Sequence, residues 1–64
     1  MSSKEKILKL LREHGELPTG RISSMLGINY YKMVPVLQEM WESGELVSEV
    51  RSGGNYWKIK EGEK

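Results

Sequence analysis

Residue types that could contact phosphate lie in two short stretches of the 64-residue chain. The first stretch combines an amide, two phenols and an ammonium group: Asn29, Tyr30, Tyr31 and Lys32. The second joins a guanidinium to small polar and glycine residues: Arg51, Ser52, Gly53, Gly54 and Asn55. Such side chains donate hydrogen bonds to phosphate, and glycines let the protein backbone lie close to a sugar-phosphate backbone. The chemistry they support is binding to a nucleic-acid backbone.

The distribution of charge favours this chemistry more than the net charge of +1 does. All nine acidic residues are glutamates, and none falls within residues 17–38 or 50–60. The cations of these two acid-free segments are Arg21, Lys32, Arg51, Lys58 and Lys60. If the two segments share a face, its positive potential would attract phosphate. The alternative is an ordinary solvated surface.

The composition argues against most other chemistries. The chain has no cysteine and one histidine, His14, which excludes disulfides, thiolate nucleophiles and histidine-rich metal sites. No spacing groups a nucleophile with a base, and no glycine-rich run has the spacing of a phosphate loop. We therefore expect no catalytic residue, no metal and no cofactor. Because the apolar runs are short, we expect a cytoplasmic protein that does not bind membranes.

Hydrophobic periodicity predicts a first helix that begins at residue 2 or 3. Ser2 and Glu5 have capping-box spacing, and Gly15 follows the last periodic residue. The residues expected on the core-facing side of this helix are Ile7, Leu10, Leu11 and His14, with His14 either half-buried or beside the C-terminal cap. Because Pro18 disfavours a helical residue before it, residues 16–18 are predicted to form a short bridging strand.

Two further helices are predicted, over residues 19–26 and 30–43. Thr19 is expected to cap the first and Asn29 the second, with a tight turn at Gly27 between them. Their core-facing residues follow helical spacing: Ile22, Met25, Leu26, Met33, Val36, Leu37 and Met40.

Alternation of apolar and polar residues on both sides of a glycine pair predicts a C-terminal β-hairpin. Its strands would include residues 46–50 and 56–60, and residues 61–64 would form a frayed polar tail. The chain is thus predicted to be one α+β domain over residues 1–64, with three helices, a bridging strand and a two-strand hairpin.

This order of elements and two local motifs resemble the winged helix-turn-helix superfamily of DNA-binding domains. Leu26-Gly27-Ile28-Asn29 precedes the third helix, and residues 39–47 end that helix with glutamate and glycine just before the first hairpin strand. The resemblance covers about residues 5–60 and is specific for the fold. It implies that the start of the third helix enters the major groove, and that the hairpin, or wing, contacts the minor groove or phosphates.

The resemblance also implies which residues contact double-stranded DNA. They are the two stretches described above: Asn29, Tyr30, Tyr31, Lys32, Arg51, Ser52, Gly53, Gly54 and Asn55. Arg21 would lie over the backbone, Lys58 and Lys60 would add charge, and Arg51 would enter a narrow minor groove. With so few cations a monomer should bind weakly, so a small transcriptional regulator would act as a homodimer or on a partner. Each contact has a structural alternative: the tyrosines cover the edge of the core, and the glycines serve only the turn.

A second apolar stripe on the third helix favours a different function. Tyr30, Val34 and Trp41 lie at positions i, i+4 and i+11, outside the core stripe. Aromatic anchors of this kind are typical of protein interfaces, so the alternative is a protein-interaction module, either a homodimer or an adaptor on a larger replication or transcription machine. Trp41 is also compatible with packing in the core. Pro35 lacks an amide hydrogen, which predicts a bend or an irregular first turn in this helix.

Overall fold

The computed structural model describes residues 2–60, which form three helices and a three-stranded antiparallel sheet. The elements are α1 (Ser3–His14), β1 (Glu16–Pro18), α2 (Thr19–Leu26), α3 (Tyr30–Glu42), β2 (Leu46–Arg51) and β3 (Gly54–Ile59). This is the predicted α+β class with the predicted bridging strand. The expected frayed tail at residues 61–64 lies outside the described residues. None of the helices in residues 2–60 is long and apolar enough to cross a membrane.

Local signals in the sequence fix the helix ends. The Ser2 Oγ accepts a hydrogen bond from the Glu5 amide at 3.2 Å, and the Asn29 Oδ1 accepts one from the Tyr31 amide at 2.8 Å. Gly27 ends α2 in the left-handed conformation, with φ of +68°, which allows the abrupt turn toward α3. α3 continues as an α-helix through Pro35, so the proline does not end it.

The central strand of the sheet is the last one in the chain. β3 lies between β1 and β2, and Trp57 pairs with Leu17 on one side and Ser48 on the other. Because successive strand residues point to opposite faces, one sheet face packs on the helices and the other faces solvent. The buried apolar residues come from all the elements: Ile7, Leu11, Leu17, Ile22, Met33, Leu37, Met40, Leu46 and Trp57.

The predicted role of Thr19 as a helix cap is wrong. Its Oγ1 accepts a hydrogen bond from the Trp57 Nε1–H at 2.7 Å, and α2 has no side-chain cap. The Ser23 hydroxyl donates to the Thr19 carbonyl at 3.2 Å, and both residues are buried. Because α2 therefore turns its Thr19 and Ser23 side toward the core, Met25 is 42% exposed instead of buried as predicted.

His14 lies beside the C-terminal cap of α1, which is one of the two positions predicted for it, and it is not half-buried. The ring is exposed at the last position of α1, where the chain turns away at Gly15. The buried residues of α1 are Ile7 and Leu11, so the packed face of the helix ends one turn earlier than the sequence pattern indicates.

Candidate nucleic-acid interface

The starts of α2 and α3 and the hairpin tip border one open groove of about 360 Å³. The lining residues are Pro18, Thr19, Gly20, Tyr30, Gly53, Gly54 and Asn55. The two stretches singled out in the sequence therefore meet through Tyr30 and the last three residues of the tip. The sequence pattern does not indicate the contribution of α2. That contribution follows from strand pairing, because Pro18 is opposite Tyr56 on β3 and α2 begins at the next residue.

The start of α3 presents two phenol rings to solvent. The Tyr30 and Tyr31 rings meet edge to face, with centroids 5.5 Å apart, and Tyr31 is 82% exposed. Within residues 2–60, neither hydroxyl has a hydrogen-bond partner. The polar ends of both tyrosines therefore remain available for contact with another molecule.

The backbone amides at this helix start are less available than the sequence suggests. The Asn29 side chain accepts from the Tyr31 amide, and the Asn29 carbonyl accepts from the amides of Lys32 and Met33 at 3.0 and 2.9 Å. The side-chain NH₂ group of Asn29 remains as a donor for the predicted phosphate contact, while its Oδ1 atom accepts from the Tyr31 amide.

The hairpin tip exposes backbone. Arg51 pairs with Gly54 around a two-residue turn formed by Ser52 and Gly53, and these residues and Asn55 are all exposed. Gly53 and Gly54 have φ of +100° and +129°, a region that favours glycine. A Cβ atom at either position would meet nothing within 4 Å, so the protein backbone here is accessible to a flat or charged surface of another molecule.

The predicted cations do not share one face. Arg21 on α2 and Lys32 on α3 are exposed, and neither has a carboxylate oxygen within 4.0 Å in the part of the chain that the structure describes. Lys58 lies on the solvent-facing side of the sheet, opposite Glu16 on β1. Lys60 follows the end of β3, where its amide donates to the Glu45 carbonyl.

Arg51 is held on the solvent-facing side of the sheet. Its Nη1 and Nη2 lie 2.8 and 3.0 Å from the two carboxylate oxygens of Glu16, and Nη2 lies 2.7 Å from Glu49. The guanidinium carbon is 5.0 Å from the centroid of the Tyr56 ring. Hydrogen bonds to Glu49 and Glu16 raise the pKa of Arg51 above its ordinary value. The segment that lacks acids in sequence therefore has acids beside it in space.

The interpretation of Trp41 as a core residue is wrong, because 50% of it is exposed. Tyr30 is exposed on the same stripe, whereas Val34 is half-buried. Val50, which is 79% exposed, is opposite Asn55 on the hairpin, and Asn55 lines the groove. Apolar surface thus lies near the groove as well as along α3.

In residues 2–60, no group of three or more histidine, aspartate or glutamate side chains is arranged to hold a metal ion. Comparison with protein-family models, with curated proteins and with solved structures finds no match to this chain. A function must therefore be inferred from the side chains of this molecule and their arrangement.

Proposed function

We propose that the chain is a winged helix domain that binds double-stranded DNA, with α3 as the recognition helix and the β2-β3 hairpin as the wing. One observation carries the proposal: Tyr30 at the start of α3 and the residues Gly53 to Asn55 at the hairpin tip line the same groove. A helix start and a hairpin tip on one side of a small body can contact adjacent parts of a duplex.

The residues in and around the groove support this proposal. None of its lining residues is acidic, and the exposed cations Arg21 and Lys32 belong to the helices whose starts border it. Phosphate contacts by a few cations give binding that weakens steeply as salt is added. We expect affinity to come from phosphates, with Tyr30 and Tyr31 adding modest sequence preference through base edges.

The later turns of α3 limit how far a base-reading contact can extend. Glu39 and Glu42 are exposed there, and their carboxylates would be repelled by phosphate. Docking is therefore expected through the first turn of α3. We also expect that a small regulator of transcription needs two copies of the chain on neighbouring half-sites to occupy its DNA site.

An amide-resolved NMR titration with a mixed-sequence duplex tests this function. At about 50 mM salt we expect shifts at residues 29–32 and 51–55, and their loss at about 200 mM salt. Shifts of equal size at both salt concentrations, or shifts confined to α1, would contradict the proposal.

The exposed Trp41 favours a second candidate function, a protein-interaction module that uses Tyr30, Val34 and Trp41. Sedimentation at tens of micromolar, with and without DNA, tests the homodimer form of this candidate. A dimeric mass without DNA that becomes monomeric in Trp41→Ser supports it. A monomeric mass in both conditions contradicts both this homodimer and the paired-site requirement.

A further inference from the structure

Arg51 is the cation with the most contacts in the described part of the chain. Glu16 binds it through both carboxylate oxygens, Glu49 adds a third contact, and the Tyr56 ring lies beneath the guanidinium. Glu16 comes from β1 and Glu49 from β2, so carboxylates from two strands meet one side chain. Such paired oxygens match the geometry in which a guanidinium also binds a phosphate.

The position of Arg51 makes exchange between the two kinds of ligand feasible. It is the last residue of β2 and directly precedes the exposed turn residue Ser52. The side chain is half exposed, as is that of Glu49. Solvent-exposed ion pairs contribute little to folding, because water screens them and two long side chains must be ordered. Water reaches both members of the Arg51–Glu49 pair, and the Glu16 side chain is 26% exposed, so the guanidinium can leave these carboxylates without exposing a buried group.

We infer that Glu16 and Glu49 keep Arg51 bound in the free protein and release it to a DNA phosphate when the hairpin tip binds a duplex. The two glutamates are thus competitors of DNA and set the affinity of the wing. The inference rests on the proposed function and adds to it residues that face away from the groove.

Removing the competing carboxylates should strengthen DNA binding through Arg51. In Glu16→Gln/Glu49→Gln we expect a severalfold lower Kd at about 50 mM salt. The slope of log K against log salt should stay close to that of the unchanged chain, because Arg51 neutralises the same phosphate in both proteins and only the competition from the carboxylates is removed. Fluorescence anisotropy with a labelled duplex measures both quantities, and thermal unfolding checks that the fold is kept.

Two controls separate this effect from a general gain in positive charge. Glu5→Gln/Glu13→Gln removes two exposed carboxylates from α1, which does not border the groove. The same glutamate pair is also replaced in an Arg51→Gln background. The inference predicts that the extra gain of Glu16→Gln/Glu49→Gln over the α1 control disappears when Arg51 is absent.

The outcomes are distinguishable. If the unchanged chain binds DNA and Glu16→Gln/Glu49→Gln gains no more than the α1 control, or gains equally without Arg51, the inference is overturned and the proposed function stands. If neither the unchanged chain nor Glu16→Gln/Glu49→Gln binds the duplex at about 50 mM salt, both are overturned.

Discussion

The groove and the solvent-facing side of the sheet share one hairpin but differ in charge: uncharged residues line the groove, whereas the sheet face carries paired charges. The groove has no acidic residue among those that line it, whereas the sheet face pairs Arg51 with Glu16 and Glu49 and sets Lys58 opposite Glu16. The difference arises because alternate strand residues point to opposite faces. The acid-free hairpin segment therefore gives its uncharged tip residues to the groove and places Arg51 and Lys58 near Glu16 on the other face.

The two faces also differ in what holds them in place. The groove wall depends on a buried hydrogen bond, from the Trp57 indole to Thr19 at the start of α2. The side-chain contacts of the sheet face are solvent-accessible ion pairs to Arg51. A buried polar group left without a partner destabilises a protein, whereas breaking an exposed ion pair has a small effect. Equal chemical changes on the two faces should therefore have unequal effects.

The largest expected effect is the loss of a hydroxyl group at the groove wall. Thr19→Val leaves the buried Trp57 N–H without an acceptor and should lower the free energy of unfolding by about 1–3 kcal/mol. Tyr56→Phe removes a hydroxyl from the opposite face and should change it by less than about 0.5 kcal/mol. Urea unfolding followed by tryptophan fluorescence measures both, and Thr19→Ser, which keeps the acceptor, serves as the control. Equal losses in Thr19→Val and Tyr56→Phe would contradict the comparison.

Two glycines of the groove provide the next test. Gly53→Ala forces a residue with a Cβ to adopt φ of +100° and should lower stability by about 1–2 kcal/mol. Gly20→Ala, in the first turn of α2, needs no positive φ and should raise stability by about 0.4–1 kcal/mol. Neither Cβ would meet an atom within 4 Å, so the opposite signs come from backbone conformation alone. A stabilised Gly53→Ala variant would show that the turn tolerates another conformation.

Asn29 allows folding and binding to be separated at the start of α3. Asn29→Ala removes the cap of α3 and should lower stability by about 1 kcal/mol. Asn29→Asp keeps an oxygen acceptor and adds a charge that favours a helix start, so its stability should stay near that of the unchanged chain. Its DNA affinity should nevertheless fall, because a carboxylate then borders the proposed phosphate surface. Urea unfolding and fluorescence anisotropy measure the two effects, and undiminished DNA affinity would remove Asn29 from the interface.

The sequence predicts the elements well because their signals are local. The Asn29 cap, the turn at Gly27 and the hairpin around Gly53 each follow from a residue and its immediate neighbours. The burial of Thr19 and the exposure of Met25 cannot be predicted in this way. The hydrogen bond to the buried Thr19 comes from the Trp57 indole, which is distant in sequence and lies near Thr19 because β3 pairs with β1.

The residues of the candidate site fall into the same two groups: some have local signals in the sequence, and others are placed by long-range strand pairing. Tyr30 and the hairpin tip are marked by residue type and by position beside predicted elements, and they do meet. The contribution of Pro18 to Gly20 and the capture of Arg51 by Glu16 arise from strand pairing. The register of β1 against β3 is a long-range property that periodicity alone does not specify.

The smallest expected effect comes from single lysines, and it tests most directly which face binds DNA. Lys32→Gln at the start of α3 should weaken binding to all duplex sequences similarly and reduce the magnitude of the salt slope by about 0.9. Lys58→Gln removes the same charge from the other side of the sheet, opposite Glu16, and should leave the slope unchanged. Because both lysines are exposed, the folded state should tolerate both changes, and thermal unfolding checks this. Anisotropy titrations at several salt concentrations measure the slopes. If Lys58→Gln reduces the slope and Lys32→Gln leaves it unchanged, DNA binding is assigned to the sheet face. Equal reductions in the two variants would mean that the duplex contacts both faces.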